Sequence, residues 1–149
     1  QIERGTYALS SLSDVPGWLS MMGLQFENLV FNNRRQIIQK LGINFSEIVY
    51  DNPYFQSPGL RQKGCQIDYM IQTKFNTLYL CEIKFSKNPI GTSVIREVED
   101  KISALNLPKI TSIKPVLIHV NGITEDLEDR RFFADVIDFG SLCQSVNSK

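Results

Sequence analysis

Asp68, Glu82 and Lys84 are the residues of this chain whose types and spacing best suit catalysis. They lie on two segments that read as strands, CQIDYMIQT from Cys65 to Thr73 and TLYLCEIKF from Thr77 to Phe85. Only Lys74, Phe75 and Asn76 separate these runs, a length suited to a tight hairpin in which an Asn tolerates a left-handed turn position. With the reversal centred on Phe75, Asp68 opposes Glu82 and Gln66 opposes Lys84, while Glu82 and Lys84, two apart, share one face. Ile67, Tyr69, Cys81, Ile83 and Phe85 then make the opposite, apolar face. A slip of one residue would separate the acids, so this reading depends on the turn. Two facing carboxylates repel unless a proton or cation lies between them, and oxygen ligands suit a hard ion such as Mg²⁺ or Mn²⁺. Lys84 beside them can orient or polarise an attacking water, or offset charge building on a phosphate. That grouping is suited to hydrolysis of a phosphodiester.

The elements around the hairpin can be read from periodicity. From Trp18 to Leu41 the apolar residues Trp18, Met22, Phe26, Leu29, Val30, Ile37 and Leu41 fall mostly three or four apart, with Gly42 as a stop, which predicts one long amphipathic helix. Glu47 to Phe55 reads as a strand, or a strand and loop, closed by Pro53 and Pro58. After the hairpin and a Pro- and Gly-containing loop, Thr92 or Ser93 can cap a helix with Val94, Ile95, Val98, Ile102 and Leu105 on one face, ended by Pro108. KPVLIHV, from Lys114 to Val120, is a short apolar run of the kind buried in a covered sheet, and ADVIDF, from Ala134 to Phe139, reads as a last strand before a short terminal helix. A helical crossover between the hairpin and the Lys114 strand makes that pair parallel, which gives an α/β fold with a mixed sheet of about five strands flanked by helices.

Residues 1 to 16, with Gly5, Pro16 and the serines Ser10, Ser11 and Ser13, read as a tether, and 17 to 149 as one domain. At 149 residues, 42% hydrophobic and 21% charged, the chain has the mixture of an ordinary folded domain rather than a disordered or fibrous one. Sixteen basic residues balance sixteen acidic ones, so any affinity for nucleic acid must come from local patches and not from the overall field. Cys65, Cys81 and Cys143 form neither an even set nor a CxxC spacing, as expected for reduced thiols of a cytoplasmic protein. No apolar stretch approaches the roughly 18 residues of a membrane span, and neither a membrane partner nor a signal peptide is expected.

Asp68 followed by Glu82-Ile83-Lys84 at the end of the next strand resembles the bipartite D…ExK signature of the PD-(D/E)xK, or restriction-endonuclease-like, nuclease superfamily. The order helix, three-strand meander, helix, strand is similar to that superfamily's core, and the likeness covers about residues 18 to 140. Within it, Gly64 to Asp68, Leu80 to Ser86, Trp18-Leu19 and Phe26-Glu27 look like the nuclease-like domain at the C-terminus of certain prokaryotic AAA-type ATPases. The resemblance implies that Asp68 and Glu82 are metal ligands, with the carbonyl of Ile83 as a third, that Lys84 is the catalytic lysine, and that Glu27 is the supporting acid of the first helix. It also implies Mg²⁺ or Mn²⁺ as cofactor and DNA as substrate or ligand. The sequence carries no Walker A pattern, and its start at Gln1 agrees with an ATPase domain lying outside it. Ile67 stands where the motif's usual proline would be.

Each of these residues also has a plainer reading. Asp68, Glu82 and Lys84 could form the solvated face of an amphipathic hairpin, held by a cross-strand pair worth a few tenths of a kcal/mol. Glu27 could be an exposed helix acid, although Gly23 one turn earlier would open room beside it, and Gln66 is either a wall of the site or a surface amide. Arg34, Arg35, Lys40, Arg61, Lys63, Lys87 and Arg96, of which Lys63 and Lys87 flank the motif strands, could form a phosphate-facing rim or simply keep a surface soluble, and they make no basic stripe. His119, the single histidine, reads as structural. Three functions remain open: a metal-dependent nuclease; a nuclease-like module that does not cut and serves its parent ATPase by binding nucleic acid, by regulation or by forming a homodimer; and a pure interaction domain whose acidic pair is incidental, for which divalent ions would not affect stability.

Overall fold

The computed structural model describes residues 17–109 and 111–147; the tether expected over residues 1–16 lies outside them, as do the side chains of Trp18 and Leu19. The described residues form five strands and five α-helices: α1 (Trp18–Asn32), α2 (Arg34–Lys40), β1 (Ile48–Gln56), β2 (Cys65–Thr73), β3 (Thr77–Lys84), α3 (Ser93–Ala104), β4 (Ser112–His119), α4 (Glu125–Arg130), β5 (Asp135–Asp138) and α5 (Phe139–Asn147). The strands lie in the order β1-β2-β3-β4-β5 in one sheet. β1, β2 and β3 form an antiparallel meander, whereas β3, β4 and β5 run parallel to one another. This is the mixed five-stranded α/β architecture expected from the order of elements. The short helix α4, which joins β4 to β5, is an addition to that reading. No helix among the described residues is long and apolar enough to cross a membrane.

The sheet buries both faces, which explains why β4 reads as a continuous apolar run. On one face Phe26 and Val30 of α1 and Ile37 and Ile38 of α2 pack over Tyr69, Ile71, Cys81, Ile83, Val116 and Ile118. On the other, Val94 and Val98 of α3 and Leu127 of α4 cover Ile67, Met70, Leu78, Leu80 and Leu117. Val116 and Ile118 thus face one way and Leu117 the other, as a pleated strand requires. The thiols of Cys65, Cys81 and Cys143 are all free.

Four details differ from the sequence reading. The long helix expected from Trp18 to Leu41 is two helices, broken at Asn33. The Asn33 side-chain amide donates to the Leu29 carbonyl at 2.8 Å, and its backbone N–H is shared between the carbonyls of Leu29 and Val30. That competition between side chain and main chain is characteristic of Asn. Leu29, expected on the buried stripe, is exposed. At the end of α2, Gly42 adopts φ 73°, its N–H meets the Gln39 carbonyl, and the Ile43 N–H meets that of Ile38, so glycine stops the helix as expected. Thr92 stands at the start of α3, but its side chain accepts no capping hydrogen bond.

The fourth difference concerns β1 and bears on the site. Pro53 does not close the strand, which continues to Gln56. β1 is an edge strand, where a proline lacking an N–H is tolerated at a bulge. Asn52 pairs with Met70 and Tyr54 with Ile67, so Pro53 alone faces both Asp68 and Tyr69. The extra residue in β2 reverses the alternation of its side chains. Ile67, expected on the face of Tyr69 and Cys81, therefore packs on the α3 side with Met70 and Leu80.

Candidate active site

The turn sets the register as predicted. Tyr69 pairs with Cys81, Met70 with Leu80, Ile71 with Tyr79 and Gln72 with Leu78, and Asn76 takes the left-handed conformation at φ 57°. The ladder stops at Tyr69 and Cys81, immediately before Asp68 and Glu82, so the direct strand pairing expected between these two acids does not form. Across the opened end the Ile83 N–H donates at 2.9 Å to Oδ2 of Asp68. A side-chain carboxylate thus takes a main-chain donor that a closed ladder would have satisfied.

Glu82 is only 2% exposed, an unusual burial for a carboxylate, and two ammonium groups hold it. Lys101 of α3 donates to Oε1 at 2.7 Å, and Lys84 lies 3.6 Å from Oε2. Lys84 also donates to Oε1 of Glu97 at 2.7 Å. Burial pulls the pKa of Lys84 down, but the hydrogen bond to Glu97 and the charge of Glu82 outweigh it, so the pKa stands above the ordinary lysine value. Lys101 behaves alike, burial being outweighed by its bond to Glu82. Both are firm cations, suited to stabilising negative charge and not to removing protons.

Asp68 makes no ion pair among the described residues. Burial first, and the neighbouring charge of Glu82 second, push its carboxyl up to about 6. Glu27 on α1 is also raised, by burial and then by Glu82, which places it within the same electrostatic cluster. The space beside Gly23, one turn earlier, is open, with no atom within 4 Å of where a Cβ would stand. Three acids, Glu27, Asp68 and Glu82, are therefore set against two ammonium groups, Lys84 and Lys101. Among the described residues no group of three or more His, Cys, Asp or Glu side chains is placed to hold a metal ion.

The structure thus brings Glu27, Asp68, Glu82 and Lys84 to one end of the sheet, with the Ile83 main chain between the acids. It does not bring Gln66 to them. Gln66 pairs with Phe55 of β1, is exposed, and lies beyond both the bulge and the end of the β2–β3 ladder, so the expected opposition to Lys84 does not form. Lys101 and Glu97 went unread in the sequence. Lys101 follows Val98 by three and Val94 by seven, a charge within the apolar stripe of α3, and a cation there requires a buried acid. His119 stands beside Lys84 in the parallel register; it is buried, its Nδ1 accepts the Gly122 N–H at 3.2 Å, and burial lowers its pKa. These contacts agree with a structural role.

No known family model matches this chain, and no curated protein matches it. Among solved structures it is similar to the crystal structure of a repair endonuclease from Pyrococcus abyssi, at 15% identity and a TM-score of 0.47. The match covers 74% of this chain and 43% of that one, so it takes in less than half of the endonuclease chain.

Proposed function

We propose that this domain is a metal-dependent nuclease that hydrolyses phosphodiester bonds in DNA. The observation that carries the reading is the opened end of the hairpin, where a buried Glu82 and a carboxyl raised to about 6 at Asp68 lie together beside the Lys84 ammonium. The donor set fits a hard divalent cation: its ligands are oxygens, and the acids outnumber the ammonium groups. Asp68 and Glu82 would hold Mg²⁺ or Mn²⁺. In a strand the N–H and C=O of one residue point the same way, so Ile83 directs its carbonyl toward the gap in which Asp68 takes its N–H. Main chain and water would complete the sphere. A divalent ion there supplies Lewis acidity and an activated water at neutral pH. Lys84 keeps its proton and offsets charge developing on the phosphate, Glu97 fixes its position, and Glu27 adds negative charge beside the pair.

A second reading has its own support. Lys101 already occupies one oxygen of Glu82 at 2.7 Å, so part of the acidic charge is balanced without an ion. Such a module would serve an attached ATPase by binding nucleic acid, by regulating it or by pairing two copies. Incubation with plasmid, single-stranded and branched DNA in Mn²⁺ separates the two readings. Cutting that falls by about a hundredfold or more in both Asp68→Ala and Lys84→Ala supports the nuclease. Intact DNA at protein excess supports the idle module, whereas a melting temperature indifferent to Mn²⁺ and EDTA supports a pure interaction domain.

A further inference from the structure

The loop joining β1 to β2, residues 57–64, stands apart from the C-terminal half of α3 across a groove of about 900 Å³. Lys101, whose ammonium sits on Glu82, is one of its lining residues, so the groove and the candidate site share this side chain. Arg61 and Lys63 line it from the loop, both exposed and without an ion pair among the described residues. Its acid, Asp100, is 3.3 Å from Arg96. Ser103 and Asn106 add polar groups on the opposite wall. The uncommitted charge of the groove is therefore positive, in a chain with no net charge.

The groove is built into the fold. The Gln56 side chain, 5% exposed, donates to the carbonyls of Lys63 at 2.8 Å and Ala104 at 2.6 Å, and accepts the Asn106 N–H at 2.9 Å. One amide thus ties both walls together. The loop is closed by the Gly59–Gln62 bridge and by the Gln62 amide donating to the Ser57 carbonyl at 2.7 Å, which leaves Leu60 and Arg61 at its tip. Leu60 is completely exposed, and no packing in the fold accounts for a leucine there. An apolar tip next to a cation suits contact with bases beside a phosphate backbone.

We infer that this groove is the track for one strand of nucleic acid leading to the acidic site, with Arg61 and Lys63 on its phosphates and Leu60 against its bases. The inference rests on the nuclease reading for what the strand is brought to, whereas binding in the groove requires no cleavage. Because Gln56 sets the walls beforehand, little ordering accompanies binding.

The test is fluorescence polarisation of the full chain with a labelled single-stranded DNA 20-mer in EDTA, over a salt series. Arg61→Ala/Lys63→Ala is expected to weaken binding about tenfold and to lower the slope of log Kd against log salt by about 1.5, as two lost phosphate contacts do. Leu60→Ala is expected to weaken binding a few-fold with the slope unchanged. Lys74→Ala/Lys114→Ala, which removes two exposed cations near the hairpin turn, should bind as the parent does. The inference is overturned by unchanged binding in Arg61→Ala/Lys63→Ala, by an equal loss in the control pair, by no binding of the parent, or by competition from polyglutamate as strong as from unlabelled DNA. DNA cutting that persists undiminished in Arg61→Ala/Lys63→Ala leaves the nuclease and removes the groove; groove-dependent binding without cutting in Mn²⁺ does the reverse.

Discussion

At its turn, the β2–β3 hairpin is fastened on both sides: the Lys74 N–H meets the Glu47 carbonyl at 2.8 Å and the Ser112 N–H meets that of Asn76 at 2.9 Å. Met70, Ile71, Leu78 and Leu80 are buried next to it, in register. At the other end the same two strands lose their pairing, and a carboxylate takes the Ile83 N–H. The contrast shows how one hairpin supplies both a tightly paired end and an opened, polar one. Where main-chain groups satisfy one another, the side chains are free to be apolar. Where they part, polar side chains must enter a buried place, and their charges have to be balanced by groups such as Lys101.

Substitutions can break this contrast, in order of effect. Leu80→Ala, at a position with no exposure, should cost about 3 kcal/mol and lower the melting temperature by roughly 10 °C. Lys101→Met leaves Glu82 buried with only the more distant Lys84, and chemical denaturation should report a loss of about 2–3 kcal/mol. The third change has the opposite sign. Asp68 titrates near 6 in the fold against an ordinary 3.8, so folding favours its protonated form. That stabilisation is fully present below about pH 4 and is lost as the pH rises through about 6. Asp68→Asn should therefore raise stability in EDTA by about 2 kcal/mol at pH 8 and by little at pH 4. A melting series that shows no pH-dependent gain would remove the idea that this carboxylate is held at a cost. Last, Asn76→Val puts a branched side chain at φ 57° and should cost about 1 kcal/mol in the same melts.

The turn end was the more legible of the two. The Lys74-Phe75-Asn76 spacer fixes the hairpin register by length alone, and alternation then assigns Tyr69, Cys81 and Ile83 to their face. The sequence hides the places where local competition overrides periodicity. The interval from Val30 to Ile37 is two helical turns, so apolar spacing continues straight through the break that Asn33 introduces. Pro53 reads as a terminator because its missing N–H matters in a central strand, and nothing local reveals that β1 lies at an edge. The bulge that follows from it moved Ile67 and kept Gln66 from the acids. Lys101 lies 19 residues downstream of Glu82, where only its place within an apolar stripe hinted at a buried partner.

The three-residue reversal at Lys74–Asn76 touches none of the acids, yet its length decides which way they look. One additional residue there, with β3 carried along, would swing Glu82 and Lys84 toward Phe26 and Val30 and present Cys81 and Ile83 to α3. A survey of insertions along this chain would then find a solvent-facing loop as intolerant as a buried strand, because it acts as the gauge that spaces the chemistry at the opposite end of the hairpin.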